Sequence, residues 1–178
     1  RILKPGIVKI SRFIFTSLLM VCVAVSCESQ AMVKIVIYLI GDGMGIGAVS
    51  SLILSDEAPT GFELAPVIGL SETSSADNHV SDSPAGGTAL AAGVRTINGH
   101  TGVDPDGKPL TSILYKAQAM GKKTGIVVNT TLTESTPAAF YGGVTSRKMT
   151  YELAKQLTES QVDLAIGAGL DHFVGRPD

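Results

Sequence analysis

Val33-Lys34-Ile35-Val36-Ile37-Tyr38-Leu39-Ile40-Gly41-Asp42-Gly43-Met44-Gly45 is the stretch on which the fold reading turns. Val33–Ile40 is apolar at every position but Lys34. A run without polar alternation is what a parallel strand covered on both faces requires. It breaks at a carboxylate set between glycines, after which Ala48–Leu54 has the composition of a helix. In open α/β sheets ligands collect where strands end, and Asp42 stands at such an end. Gly41 and Gly43 keep bulk away from its carboxylate, an oxygen donor that suits magnesium or zinc.

Working outward, the same alternation continues. Ala65–Leu70 reads as a second strand and Pro84–Val94 as a helix. Asn98-Gly99 and Asp104–Gly107 are turn signals that make the segment between them a loop or short hairpin. Thr111 can cap a helix in which Ile113, Leu114, Ala117 and Met120 recur at helical spacing before Gly121 ends it. Thr124–Val128 and Val162–Ile166 read as strands on either side of an amphipathic helix over Tyr151–Leu157. Strands separated by helices predict an α/β fold with a mostly parallel sheet.

The chain has 178 residues, 44% hydrophobic and 17% charged, with a net charge of -2. These values fit one globular domain. Without a basic stripe they exclude nucleic acid as an expected partner. Residues 1–31 read as a leader. Arg1, Lys4, Lys9 and Arg12 precede the apolar run Phe13–Val25, which is shorter than the roughly 20 residues a spanning helix needs. Processing is expected before Cys27, in the lipoprotein-like box Ala24-Val25-Ser26-Cys27, or after Ser29-Gln30-Ala31, with an uncleaved anchor as the alternative. A lipid on Cys27 would tether the protein to a membrane. Both cysteines, Cys22 and Cys27, fall in this leader, so no disulfide or thiolate site is expected beyond it. The first residue is Arg1 and the last ten residues hold no closing element. We therefore expect a fragment, with residues 32–178 the N-terminal part of a larger domain.

The second informative stretch is Val80-Ser81-Asp82-Ser83-Pro84-Ala85-Gly86-Gly87-Thr88-Ala89-Leu90. Pro84 suits the first turn of a helix, which would put Ser83 at the cap, beside backbone N–H groups that seat an anion. Taken alone, Ser83 is either a cap or a nucleophile. No base is evident beside it, since only His79 is near in sequence, and activation would fall to a metal. Gly43–Ala48 also matches a loose dinucleotide fingerprint, but its acidic partner Glu63 precedes the candidate strand instead of ending it.

Asp42-Gly43-Met44-Gly45 and Asp82-Ser83-Pro84-Ala85-Gly86-Gly87-Thr88-Ala89 are followed by Thr133-Glu134-Ser135-Thr136-Pro137-Ala138-Ala139 and Val144-Thr145-Ser146-Arg147. In this order and spacing, from Val33 to Phe173, they resemble the alkaline phosphatase family. The resemblance implies a three-layer α/β sandwich and hydrolysis of phosphate monoesters through a phosphoserine, with two zinc ions and one magnesium. It makes Ser83 the nucleophile, Asp42 a bridge between a zinc and the magnesium site, and Thr136 a hydroxyl of the magnesium sphere. Arg147 would grip two phosphate oxygens with its planar fork. Glu134 departs from the family pattern, which usually has Asp or His there, and this bears on the choice of third metal. His79, His100 and His172 match none of the family's zinc-ligand motifs. Those ligands are expected beyond Asp178, leaving the chain inactive by itself. The expected partners are a phosphate monoester, a membrane reached through Cys27, and a second copy in a homodimer; the expected location is outside the cytoplasm, periplasmic or lipid-anchored. A non-catalytic exported lipoprotein or binding module on the same scaffold is the alternative.

Overall fold

The computed structural model describes residues 33–55 and 59–175. It divides into two compact units, Arg1–Ile40 and Gly41–Asp178. The leader expected over residues 1–31 lies outside the described residues. Among the described residues no helix is long and apolar enough to cross a membrane.

Of the first unit, residues 33–40 are described, and the strand expected there is not formed. The apolar side chains from Val33 to Leu39 are exposed, Leu39 to 87%. Residues 65–70 are likewise irregular and exposed instead of forming a strand. The reason is common to both. An apolar run becomes a strand only where neighbouring strands take its N–H and C=O groups, and the sheet formed by the described residues has two strands, neither of them here.

The second unit contains α1 (Ile46–Ser55), α2 (Ser83–Ala92), α3 (Ile113–Ala119), β1 (Gly125–Thr131), α4 (Ser135–Tyr141), α5 (Thr150–Glu159) and β2 (Leu164–Ala168). A 3-10 turn, Leu170–His172, follows. β1 and β2 pair in parallel, Gly125 opposite Leu164 and Val127 opposite Ile166, with an irregularity between Val127 and Thr131. The connection between them carries α4 and α5, as a parallel crossover must. The parallel sense and the α/β class agree with the sequence reading.

Local chemistry explains the boundaries. The helix over 113–119 is capped by Ser112, one residue later than expected: its Oγ accepts from Tyr115 N at 3.3 Å. The same hydroxyl donates to Phe140 O at 2.5 Å, a bond that Thr111 does not make. α4 carries the Thr133–Ala139 motif and has Pro137 in its first turn. Leu153, Ala154 and Leu157 give α5 its buried stripe. They join Leu114, Ile126, Ala138, Tyr141 and Val144 beneath the sheet and helices, each large side chain adding about 1.5–3 kcal/mol. The buried Tyr141 hydroxyl donates to Leu132 O at 2.9 Å, so the ring is fixed at both ends.

Two close approaches set the positions of the site-bearing segments. α2 packs on α4 at Gly87, where a Cβ would lie 3.1 Å from Thr136 Cα. Gly102, at φ +64, passes the α4–α5 loop so closely that a Cβ would lie 1.8 Å from Gly142 O. The bridge Thr101 to Val144 continues that contact, and a second bridge, Val103 to Pro109, closes over the Asp104–Gly107 turn.

Candidate active site

The start of α2 is organised by Asp82, not by Ser83. Asp82 is the N-cap, and its Oδ1 accepts from Ala85 N at 3.0 Å. Its Oδ2 accepts from Gly99 N at 2.7 Å. Ser83 therefore sits inside the first turn. The correction has a physical cause: one carboxylate satisfies two separate N–H groups, which a serine hydroxyl in the cap position does not. Asn98 completes the arrangement by accepting from Asp82 N at 3.2 Å and donating to Val80 O at 3.0 Å.

Relieved of capping, the Ser83 hydroxyl donates to Asp42 Oδ1 at 3.0 Å. The other carboxylate oxygen of Asp42 accepts from Thr136 Oγ1 at 2.9 Å. The two bonds reach across 41 and 94 residues of sequence, so the glycine-flanked turn, the start of α2 and the start of α4 meet at one carboxylate. Ser83 also lies at the positive end of the ten-residue α2, which favours an approaching anion.

Arg147 is held by its backbone and paired by its side chain. Its N–H donates to Gly99 O at 3.0 Å, so Asp82 and Arg147 grip the same turn residue from its two sides. Upstream, Gln156 accepts from Gly143 N at 2.7 Å and donates back to Gly143 O at 3.2 Å. The guanidinium meets Glu134 Oε1 at 2.6 Å, both side chains being partly exposed. Glu134 stands at the N-cap of α4 but makes no capping bond with its side chain.

Supporting residues were not singled out in the sequence. Asp77 accepts from Asn98 N at 2.9 Å and from Ser75 Oγ at 2.9 Å. The Asn98 N–H and then the Ser75 hydroxyl hold the Asp77 carboxyl below its ordinary value. His172 is tied to the buried Thr133 by a 2.6 Å bond between Nδ1 and Oγ1, and its ring meets Tyr151 edge-on. This fastens the residue before Glu134 to the turn after β2. Asp82 was open to detection, because Asp is as good a cap as Ser; the Gln156 and His172 contacts left no local signal.

The donors brought together at Asp42 are its own carboxylate and the Ser83 and Thr136 hydroxyls; Glu134, two residues before Thr136, carries a further carboxylate, here turned to Arg147. Such a set fits a hard cation such as magnesium. It does not fit a pair of zinc ions, which take about four ligands each, largely from His, Cys and carboxylates. Among the described residues, no group of three or more His, Cys, Asp or Glu residues is placed to hold a metal. His172 is bonded to Thr133, and His100 is in contact with Asp104 O at 3.2 Å.

Fold and site define a parallel α/β protein in which a helix-terminal serine and a threonine share one aspartate. The chain belongs to the alkaline phosphatase family, whose family model matches residues 33–175. Alkaline phosphatase 4 of Bacillus subtilis is 34% identical over 82% of the chain and 35% of that relative. The repressible alkaline phosphatase of Saccharomyces cerevisiae is 32% identical over 97% of the chain and 34% of that relative. The solved alkaline phosphatase of the Antarctic bacterium TAB5 superposes with a TM-score of 0.74 at 36% identity, covering 77% of this chain and 40% of that one. A variant of the TAB5 enzyme was solved with Mg bound in its M3 site. The chain thus spans about a third of the length of these curated relatives.

Proposed function

We propose that the protein hydrolyses phosphate monoesters, with Ser83 as the nucleophile. The observation that carries this reading is the Asp42 carboxylate joined to both the Ser83 and Thr136 hydroxyls. In the resting arrangement the Ser83 hydrogen points at Asp42 Oδ1, which leaves an oxygen lone pair free for an incoming phosphorus. Ser83 Oγ bonds to phosphorus as its proton passes to solvent and the bond to the alcohol oxygen breaks, and the departing alkoxide takes a proton back from solvent. Water then attacks the phosphoserine, releasing inorganic phosphate and restoring the hydroxyl. Arg147 offers its fork to the phosphate oxygens, and the α2 N-terminus adds its partial positive charge.

Asp42, Thr136 and Glu134 would hold the magnesium ion. Bound divalent cations supply Lewis acidity, lowering the pKa of a hydroxyl and offsetting charge on phosphate oxygens. The two zinc ions of our reading would need ligands besides Asp42 from the portion of the fold that the relatives have and these residues do not span. We accordingly propose that the 178 residues alone are inactive. We also propose that the complete protein works as a homodimer outside the cytoplasm, exported by the leader over 1–31 and tethered through a lipid on Cys27. Palmitate labelling lost in Cys27→Ser would bear out the tether, and its persistence would remove it.

The test of the central reading is hydrolysis of p-nitrophenyl phosphate by the complete protein. Activity should disappear with a chelator and in Ser83→Ala, and return when metal is restored to the unmodified protein. Turnover by Ser83→Ala at the unmodified rate would overturn the nucleophile assignment.

A further inference from the structure

We propose that Glu134 competes with phosphate for Arg147, so that a divalent cation engaging Glu134 frees the guanidinium and raises phosphate affinity. This rests on the reading of Arg147 as the phosphate grip. The starting observation is the 2.6 Å bond between Arg147 and Glu134 Oε1. Both residues are fixed at the backbone. Arg147 N is held by Gly99 O, and Glu134 N donates to Thr131 O at 3.1 Å. Exchange of partners is therefore a matter of side-chain rotation. The Glu134 carboxylate makes no bond to the N–H groups of its own helix; it pairs with the guanidinium, and it springs from the helix start whose Thr136, two residues on, bonds Asp42, where a cation would be its other partner.

A carboxylate paired with arginine occupies the N–H edge that a phosphate oxygen would use, and presents a negative charge to the incoming dianion. Phosphate binding to the paired form must break that bond first. When Glu134 turns to a cation, its charge is neutralised and the Arg147 fork is released in one event. Cation and phosphate then bind cooperatively, and by linkage each must raise the affinity of the other by the same factor.

The experiment measures inorganic phosphate binding to the complete protein by calorimetry, in magnesium-free buffer and at saturating magnesium. In magnesium-free buffer Glu134→Gln and Glu134→Asp should both bind phosphate about three- to fivefold tighter than the unmodified protein, the scale of a partly exposed ion pair. Magnesium should tighten phosphate binding in the unmodified protein by more than in either variant. The Asp variant keeps the charge and shortens the arm, so it separates pairing from charge alone. Unless both variants bind phosphate tighter without magnesium, the competition is refuted. Arg147→Ala tests the underlying reading separately. If it leaves phosphate affinity unchanged, Arg147 is not the grip, whatever the Glu134 variants do; if affinity falls while the Glu134 variants match the unmodified protein, only the competition fails.

Discussion

Replacing Asp82 by Ala removes two hydrogen bonds made by one carboxylate, to Ala85 N at 3.0 Å and Gly99 N at 2.7 Å. Loss of the cap costs about 1 kcal/mol. The second bond is charge-assisted and partly buried, and its loss costs about 1.5–3 kcal/mol because the Gly99 N–H is left without its acceptor. The sum is roughly 2.5–4 kcal/mol for Asp82→Ala. Asp82→Asn keeps one acceptor oxygen, so one of the two N–H groups stays satisfied while the other faces an NH2. We expect that change to cost about 1–2 kcal/mol. Urea unfolding with linear extrapolation measures both. The unfolding midpoint should fall in the order unmodified, Asn, Ala, with the slope unchanged. The two-acceptor account is refuted if Asn and Ala are equally destabilised, or if neither loses more than about 0.5 kcal/mol. Because Gly99 also anchors Arg147 N, both variants should weaken phosphate binding as well as stability.

Gly102→Ala should destabilise by more than about 3 kcal/mol, because the 1.8 Å approach to Gly142 O adds a backbone clash to the strain of φ +64; thermal unfolding would check it, and a near-neutral effect would contradict the packing described. Gln156→Leu should cost about 1–2 kcal/mol through its two bonds to Gly143, and hydrogen exchange at Gly143 N should rise with it. For Asp77 the folded-state pKa lies below the ordinary 3.8, so its contribution is present above that value and is lost as pH falls through the depressed one. Asp77→Asn should therefore flatten the acid limb of the stability–pH curve, and an unchanged limb would remove Asp77 from the account.

The parts of the fold legible in the sequence were those specified locally. The amphipathic stripe Leu153, Ala154 and Leu157 marked α5, and the apolar runs after Gly121 and Gln161 marked β1 and β2 to within a few residues. Residues 33–40 and 65–70 misled because hydrophobicity records a preference for burial without naming the neighbour that provides it. The cap of α2 was a tie between adjacent residues that favour the same position. It was broken by Gly99 N, 17 residues away, as Phe140 O, 28 residues away, broke the tie between Thr111 and Ser112. α4 is buried at Ser135, Pro137, Ala138, Ala139 and Tyr141, so it lacks the polar face whose alternation would announce a helix. At the site, Asp42 and Ser83 had local meanings of turn and cap, and Thr136 had none outside its motif. Nothing in their spacing linked them, and only the family resemblance placed them together before the structure did.

The crossover between β1 and β2 has a consequence for the order of folding. Gly125 pairs with Leu164, and the chain looped out between them contains Glu134, Thr136 and Arg147. Closing so long a loop carries an entropic penalty before any contact rewards it, and non-local parallel pairing is slow for that reason. Asp42 must wait longer still, since its bond to Thr136 spans 94 residues. The helices rest on local contacts, whereas the site rests on contacts spanning 41 and 94 residues, so newly made chains are expected to pass through a stage with intact helices and an unassembled site. A pulse-labelling experiment should find the amides of α2 and α5 protected before those of Leu164–Ala168, with any gain of phosphate binding following the strand and not the helices.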